Sequence, residues 1–216
     1  MKTIAFDIDD ASIVRTKYGL LRRLIDRYPD IKITLFFIPF DYEMEMAQLV
    51  RIYKESRLVE LKDLLKTGNV ELVPHGLTHM PEEFLRADKH TIKLSLSAIE
   101  DVLGSNGLPY VKGFKAPYWL YNKNLVEVLD ENGWWMAINR DDPKALKTER
   151  FYKYSHSIHE PFWKSESDVL KLHGHMLGSE NDLEEHFLNL YKIPLEDVEF
   201  KFASELVEGR EKNGKD

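Results

Sequence analysis

Short apolar runs alternate with segments of helical periodicity along this chain of 216 residues. The alternation is typical of βα units, in which a helix follows each strand and the strands form a parallel sheet. A hydrophobic content of 43% is enough for one substantial core. We predict strands at 3–8, 31–38, 70–73, 110–114, 134–138, 168–172 and 198–202, an extended segment at 152–158, and helices at 12–28, 44–66, 90–103, 122–132 and 182–191.

No linker, repeat or low-complexity block interrupts this pattern, so we expect one domain over residues 1–207. Residues 208–216 are rich in charge and contain glycine, and we expect them to be a disordered tail. The length suits an α/β barrel at the small end of its size range. In such a barrel the carboxyl ends of the strands share one face, so polar residues that follow different strands can converge there.

The composition excludes several classes of function. The net charge is −7 and no strong basic cluster is present, so neither nucleic acid nor an anionic membrane surface is an expected partner. The chain has no cysteine, so a bound metal must be held by histidines and carboxylates. No apolar stretch approaches the ~18 residues of a membrane span. No secretory leader is visible, and we therefore expect a cytoplasmic protein.

Two histidines four residues apart, His75 and His79, follow the apolar run at 70–73. This spacing places both imidazoles on one side of a helical turn, where they suit a single metal ion. Two imidazoles and a carboxylate form the ligand set of a hydrolytic zinc site that leaves one position open for water. Because the spacing also arises by chance, two unrelated loop histidines remain an alternative.

A carboxylate cluster, Asp7-Ile8-Asp9-Asp10, ends the first apolar run. If the strand continues to Ile8, Asp7 and Asp9 point to the same face. Adjacent aspartates cannot both be buried and charged without a compensating cation, which a metal bound by Asp10 would supply. Asp9 could then act as the base for a water molecule. The alternative is a helix N-terminal cap formed by Asp10 or Ser12.

A third candidate is His173, which the apolar strand Leu170-Lys171-Leu172 delivers to its end. A general acid needs an imidazole with a tuned pKa, and a carboxylate often holds such a ring. Asp141 and Asp142 follow another predicted strand and are candidates for that carboxylate, and we include Asp141 among the candidate catalytic residues. A surface histidine is the alternative.

The fourth candidate is the segment Lys115-Ala116-Pro117-Tyr118-Trp119. The ammonium of Lys115, if it lies near Asp9, would keep that carboxylate ionised and oriented. Pro117 stiffens the loop, and a backbone N–H after it is suited to a developing oxyanion. Three tryptophans are candidates for stacking on a sugar ring, although such side chains are more often core residues: Trp119, Trp134 and Trp135.

In this order the motifs resemble the polysaccharide deacetylase family with the NodB homology domain, carbohydrate esterase family 4. Ile8-Asp9-Asp10-Ala11 looks like the paired-aspartate first motif of that family, and His75 to His79 matches its His-x-x-x-His second motif. Lys115 to Tyr118 resembles the third motif, which is of Arg-x-Pro-Tyr type. Trp135 to Asp142 is loosely similar to the fourth motif, and Leu170 to His173 is close to the fifth.

The resemblance covers residues 3–207 and implies a distorted (β/α)7-type barrel that removes acetyl groups from an N-acetylated sugar or polysaccharide, or cleaves another small amide. It implies a divalent metal cofactor, with Zn²⁺ favoured and Co²⁺ or Ni²⁺ as alternatives. It implies Asp9 as general base, His173 as general acid and the backbone N–H of Tyr118 as a donor to the oxyanion. The metal ligands that it implies are Asp10, His75 and His79.

Two positions depart from the family pattern. Lys115 stands where the family has arginine, and it lacks the planar guanidinium fork that aligns a carboxylate. Ala11 replaces the usual glycine. These departures indicate a divergent member, and they leave open a non-catalytic carbohydrate- or metal-binding relative on the same barrel. The sequence sets neither the substrate nor the oligomeric state.

Overall fold

Strands and helices alternate in the computed structural model of this chain, which describes residues 1–13, 16, 18–40, 49–142, 150–176, 189–192 and 197–209. The α-helices within these residues are α1 (Gly19–Arg27), α2 (Leu49–Leu65), α3 (Lys89–Ser105) and α4 (Lys123–Glu131). The strands are β1 (Lys2–Ala11), β2 (Ile33–Phe37), β3 (Val70–Pro74), β4 (Gly113–Lys115), β5 (Trp135–Ile138), β6 (Arg150–Lys153), β7 (His156–Ser157), β8 (Val169–His175), β9 (Val198–Lys201) and β10 (Glu208–Gly209).

The larger sheet is centred on β1 and has the strand order β3-β2-β1-β8-β7. All of its pairs are parallel, and β8 follows β1 from Thr3 to Asp9. On the other side of β1, β9 pairs with the residues before Phe6 and β2 pairs with those from Phe6 onward. The carboxyl end of β1 therefore lies between the carboxyl ends of β2 and β8.

The smaller sheet has the order β10-β6-β5-β4, in which only β10 is antiparallel to its neighbour. The Val111 N–H, just before β4, donates to Leu72 O of β3 at 2.8 Å and links the two sheets. Among the described residues, strand pairing does not close the two sheets into a continuous barrel. The α/β class predicted from the sequence is confirmed.

Alternation along β1 separates apolar from acidic side chains. Ile4, Phe6 and Ile8 belong to the larger apolar cluster, which also contains the buried faces of α1, α3 and α4. Asp7 points to the opposite side, where it contacts Tyr152 of a smaller cluster between the two sheets. Because side chains alternate along a strand, Asp9 shares the side of Asp7.

Among the predicted boundaries that differ from the structure are the start of the first helix and the start of the C-terminal tail. The first helix begins at Gly19 rather than at residue 12, because Ser12 and Thr16 form a turn in which Ser12 N–H donates to Thr16 Oγ1 at 2.8 Å. Residues 208–209, predicted to begin the disordered tail, form β10, and residues 210–216 lie outside the described residues. Most of the predicted helix 182–191 also lies outside them. No helix within the described residues is long and apolar enough to cross a membrane.

Candidate active site

The carboxyl ends of four strands bring together nearly all of the acidic and basic side chains predicted for the site. β1 and β8 lie side by side, and β3 and β4 supply the remaining groups from across the barrel face. The assembled side chains are Asp7, Asp9, Asp10, His75, His79, Lys115, His173 and His175, of which all but His175 are buried.

A bulge near the end of β1 explains how two adjacent aspartates both reach the site. The pairing of β1 with β2 shifts register between Ile8 and Ala11, and Asp10 has a φ of 64°. Asp tolerates this left-handed conformation better than most residues because its short polar side chain bonds locally. As a result, Asp9 Oδ2 and Asp10 Oδ1 lie 3.8 and 3.5 Å from the same atom, His75 Nε2.

Asp10, His75 and His79 form a compact ligand set. Asp10 Oδ1 lies 2.8 Å from His79 Nε2 and 3.5 Å from His75 Nε2. Donor atoms around a tetrahedral ion with bonds of about 2.1 Å lie about 3.4 Å apart, so these separations suit one metal ion. Burial alone would raise the pKa of Asp10, but hydrogen bonds from the surrounding imidazoles hold it far below its usual value. The carboxylate is therefore ionised and ready to bind a cation.

The ring of His75 is fixed in the orientation that a metal ligand needs. His75 Nδ1 lies 3.0 Å from the carbonyl oxygen of Lys115. A carbonyl only accepts hydrogen bonds, so Nδ1 carries a proton, and Nε2 is the nitrogen that faces Asp10 and would bind a metal ion. This is the arrangement in which an outer hydrogen bond sets the tautomer of a metal-binding histidine.

The loop that carries the two histidines is held by Glu83. Its carboxylate accepts hydrogen bonds from the backbone N–H groups of Leu77 (2.7 Å), Thr78 (3.3 Å) and His79 (3.1 Å). The loop also needs a glycine: Gly76 has a φ of 71°, and a Cβ there would meet the Glu83 carboxylate at 2.8 Å and the Pro117 ring at 2.6 Å. Glu83 is a residue that sequence reasoning missed.

Lys115 supplies the cation for Asp9, as the sequence predicts. Its side chain is 1% exposed, and Nζ lies 2.5 Å from Asp9 Oδ1 and 3.9 Å from the centre of the Trp119 ring. Burial alone would raise the pKa of Asp9, but the Lys115 ammonium and the nearby imidazoles hold it below its usual range. The second oxygen, Oδ2, faces the histidines, with His173 Nε2 at 3.7 Å.

A different carboxylate from the predicted one holds His173. Asp7 Oδ1 lies 2.5 Å from His173 Nδ1, and Tyr152 donates its hydroxyl proton to Asp7 Oδ2 at 3.1 Å. Burial, with Asp7 beside it, raises the pKa of Tyr152 well above its usual value, so the phenol remains a neutral donor. Because Asp7 accepts a hydrogen bond from Nδ1–H, His173 presents Nε2 to the site, where it has no hydrogen-bond partner among the described residues.

Asp141 lies away from the site. Its side chain is 84% exposed and pairs with Arg140 Nε at 3.5 Å. Its neighbour Asp142 accepts a hydrogen bond from the Tyr121 hydroxyl at 2.5 Å. The carboxylate that bonds His173 Nδ1 is that of Asp7. The expectation that Asp141 or Asp142 supports His173 is therefore corrected to Asp7.

Tyr118 and Trp119 form a strained turn beside the histidines. Their φ angles are 54° and 59°, in a region that non-glycine residues rarely adopt and that often marks functional sites. The Tyr118 side chain is 50% exposed, with its ring centre 4.9 Å from that of His79. In this turn the Trp119 N–H donates to Ala116 O at 3.1 Å and the Leu120 N–H donates to Pro117 O at 3.0 Å.

The three tryptophans divide between site and core. Trp134 and Trp135 are buried in the two apolar clusters and present no face to a sugar ring. Trp119 is half-buried, with its ring centre 5.6 Å from that of His173. Of the three tryptophans, Trp119 alone remains a candidate for stacking on a sugar ring.

The buried charges of the site favour a divalent cation. Three carboxylates, Asp7, Asp9 and Asp10, are buried around Lys115, whose ammonium is the one buried lysine or arginine charge in the described part of the chain. Buried charges are costly unless they are paired, and one ammonium does not balance three carboxylates. A divalent ion bound by Asp10, His75 and His79 would balance them. The residues present thus fit such an ion both in donor type and in charge.

His175 also reaches the site, although the sequence analysis gave it no role. It lies two residues after His173 on β8, and its Nδ1 is 3.3 Å from Asp10 Oδ2. The hydrogen bond to Asp10 raises the pKa of His175 although burial opposes the change. The spacing of His173 and His175 was a readable signal, since residues two apart on a strand point to one face.

Solved structures match this chain, whereas no family model and no curated protein sequence does. The Xyl-CE4 domain of a multidomain xylanase from the hindgut metagenome of Trinervitermes trinervoides superposes with a TM-score of 0.64 at 15% identity, covering 95% of this chain and 89% of that one. A family 4 acetyl xylan esterase from Clostridium thermocellum, in complex with a cobalt ion, gives 0.59 at 13% identity, covering 95% and 90%.

A third match is a carbohydrate esterase family 4 pseudoenzyme from Bacillus anthracis, with a TM-score of 0.59, 15% identity and coverage of 95% of this chain and 65% of that one. The chain therefore has the fold of the carbohydrate esterase family 4 deacetylases, and the expected distorted (β/α)7-type barrel is confirmed. Sequence identities this low show the fold alone.

Proposed function

We propose that this chain is a divergent carbohydrate esterase family 4 deacetylase, a metal-dependent hydrolase that removes the acetyl group from an N-acetylated sugar or polysaccharide. One observation carries the proposal. The ligand set Asp10, His75 and His79 lies beside two groups suited to proton transfer, Asp9 and His173, on the face of the barrel where such sites assemble.

The proposed cofactor is one divalent cation held by Asp10, His75 and His79. Zn²⁺ is favoured because it prefers nitrogen and carboxylate donors in tetrahedral sites, and Co²⁺ and Ni²⁺ are alternatives. When bound, such a cation polarises the acetyl carbonyl and lowers the pKa of water. The family 4 acetyl xylan esterase that shares this fold is described in complex with cobalt, which supports the assignment.

Asp9 is the proposed general base. Lys115 engages Oδ1, which leaves Oδ2 to accept a proton from the attacking water. Oδ2 lies 3.8 Å from His75 Nε2, so it faces the ligand set directly. The buried ammonium of Lys115 keeps the carboxylate ionised and fixes its orientation, although it also lowers the basicity of Asp9.

His173 is the proposed general acid. An amide nitrogen leaves only when it is protonated. The Nε2 of His173, which finds no hydrogen-bond partner in the part of the chain that the structure describes, lies 3.7 Å from Asp9 Oδ2. Asp7 accepts a hydrogen bond from the Nδ1–H of His173 and would stabilise the imidazolium that donates from Nε2. The backbone N–H of Tyr118 is the proposed donor to the oxyanion. Each proton-transfer group is typically worth ~10²–10⁴ in rate.

A non-catalytic binding protein on the same barrel is the second candidate. The direct bond from Lys115 favours it, because a base held at 2.5 Å from an ammonium gives up part of its basicity. The family 4 pseudoenzyme with this fold supports the same alternative. This candidate predicts binding of sugar or metal without release of acetate.

Acetate release tests the proposal. Protein stripped with a chelator and reloaded with Zn²⁺ should release acetate from oligosaccharides of N-acetylglucosamine, and the stripped protein should not. Asp9→Asn should bind Zn²⁺ as the wild type does and lose most of the turnover. Asp101→Asn, the same change at an exposed position on α3, should alter neither. Metal binding without acetate release from any acetylated substrate would favour the second candidate.

A further inference from the structure

We infer that His175 is a positioning residue that holds the outer oxygen of the metal ligand Asp10. The inference rests on the proposed function, because it concerns the affinity of the metal site. His175 differs from the three proposed ligands in that it lies at the mouth of the site, with 47% of its side chain exposed.

The two oxygens of Asp10 face different partners. Oδ1 lies 2.8 Å from His79 Nε2 and is the oxygen that belongs to the ligand set. Oδ2 lies 3.3 Å from His175 Nδ1. An ionised carboxylate only accepts hydrogen bonds, so Nδ1 of His175 carries a proton and donates it to Oδ2. A carboxylate held in this way presents Oδ1 in a fixed direction.

Asp10 needs such support because its backbone is strained. Its φ of 64° lies in the left-handed region, and the bulge that contains it leaves the regular pairing of β1 with β2. A strained backbone conformation persists when several contacts from the surrounding structure hold it in place. The hydrogen bond from β8 supplies one of the constraints that keep the side chain aimed at His75 and His79.

The register of β1 and β8 places His175 at this point. Asp7 pairs with His173 and Asp9 pairs with His175, and the Met176 N–H donates to Asp9 O at 2.9 Å. With this register, two carboxylate–imidazole contacts cross from β1 to β8: Asp7 contacts His173, and Asp10 contacts His175. The inner contact holds the proposed general acid, and the outer contact holds the proposed metal ligand.

The position of His175 favours an orienting role over direct ligation. Its nearest ligand atoms outside Asp10 belong to Asp9 and His173, and it does not share a common ligand group with His75 and His79. Asp9 Oδ2 lies 4.0 Å away, and the Lys115 ammonium on Asp9 disfavours a second cation there.

Zn²⁺ affinity measured by competition with a chromophoric chelator tests the inference. His175→Ala should weaken Zn²⁺ binding about 10- to 100-fold, the usual cost of losing an outer partner of a metal ligand. His175→Asn should bind within a few fold of the wild type, because the amide nitrogen of Asn lies near the position of Nδ1. His175→Gln places its amide near the position of Nε2 and should resemble the Ala variant. His90→Ala, which removes an exposed histidine on α3, is the control.

The visible spectrum of bound Co²⁺ separates the two roles of His175. A spectrum that is the same in wild type and His175→Ala supports an orienting residue, and a changed spectrum would make His175 a ligand and overturn the inference. Equal Zn²⁺ affinity in the wild type and His175→Ala, or no recovery in His175→Asn, would also overturn it while leaving the proposed function intact. A wild type that binds no metal would instead overturn both.

Discussion

Lys115 Nζ lies 2.5 Å from Asp9 Oδ1, and both side chains are buried beneath the histidines of the barrel face. The two residues come from β4 and β1, which belong to different sheets. This ion pair therefore ties the two halves of the site together, and it sets the orientation of the proposed base.

Lys115→Met should destabilise the protein markedly. The substitution leaves the carboxylate of Asp9 buried without its cation, a change that typically costs about 3–5 kcal/mol. Unfolding by urea, followed by circular dichroism, measures the difference in the free energy of unfolding. Lys66→Met, which removes an ammonium from the exposed pair with Asp63, should leave the stability close to that of the wild type. Equal losses in the free energy of unfolding of the two variants would contradict the conclusion that Lys115 compensates the buried charge of Asp9.

Asp7→Asn should reduce turnover by about 10²- to 10⁴-fold, because an amide at this position no longer fixes the Nδ1 proton of His173. Zn²⁺ affinity should not change, since Asp7 lies outside the ligand set. Acetate release and chelator competition measure the two quantities separately. Asp141→Asn is the informative control, because the sequence made that residue one of the two candidate partners of His173. Loss of turnover in Asp141→Asn and not in Asp7→Asn would refute the structural assignment.

Glu83→Gln should weaken Zn²⁺ binding about 10- to 100-fold through the loop that carries the histidines. The charged carboxylate accepts three backbone N–H groups of residues 77–79, and a neutral amide has one acceptor oxygen to offer them. Isothermal titration calorimetry with Zn²⁺ measures the change. Glu82→Gln alters the adjacent, exposed residue, and its affinity should equal that of the wild type.

Gly76→Ala should destabilise the fold more than Gly68→Ala does. Both glycines have a positive φ, so each substitution should cost about 1–2 kcal/mol in backbone strain. A Cβ at Gly76 also meets Pro117 and Glu83 at less than 3 Å, whereas a Cβ at Gly68 meets nothing within 4 Å. The thermal unfolding midpoints of the two variants give the comparison. A larger loss of stability in Gly68→Ala would show that the packing of Pro117 and Glu83 against Gly76 is not tight.

The sequence was a good guide to the fold and to the members of the site. Short apolar runs that alternate with segments of helical periodicity predicted the α/β class, since these patterns reflect which residues of each element are buried. The same reasoning placed Asp9, Asp10, His75, His79 and His173 after strands, and the structure brings them together. Their chemical roles stay predictions.

The contacts that depend on register were not predictable from the sequence. Asp7 lies opposite His173 because of the register between β1 and β8, which no local pattern sets. The bulge at Asp10 is likewise a property of strand pairing. Asp141 and Asp142 were candidates for the partner of His173 because they follow a strand, yet the side chain of Asp141 is 84% exposed.

The central claim is that Asp10, His75 and His79 bind one divalent cation. Its most direct test is a titration of chelator-treated protein with Zn²⁺ measured by calorimetry, with elemental analysis of the protein after dialysis. We predict one tightly bound equivalent per chain in the wild type and a large loss of affinity in both His79→Ala and Asp10→Asn. Wild-type protein that retains no Zn²⁺, or variants that bind it as tightly as the wild type, would contradict the account.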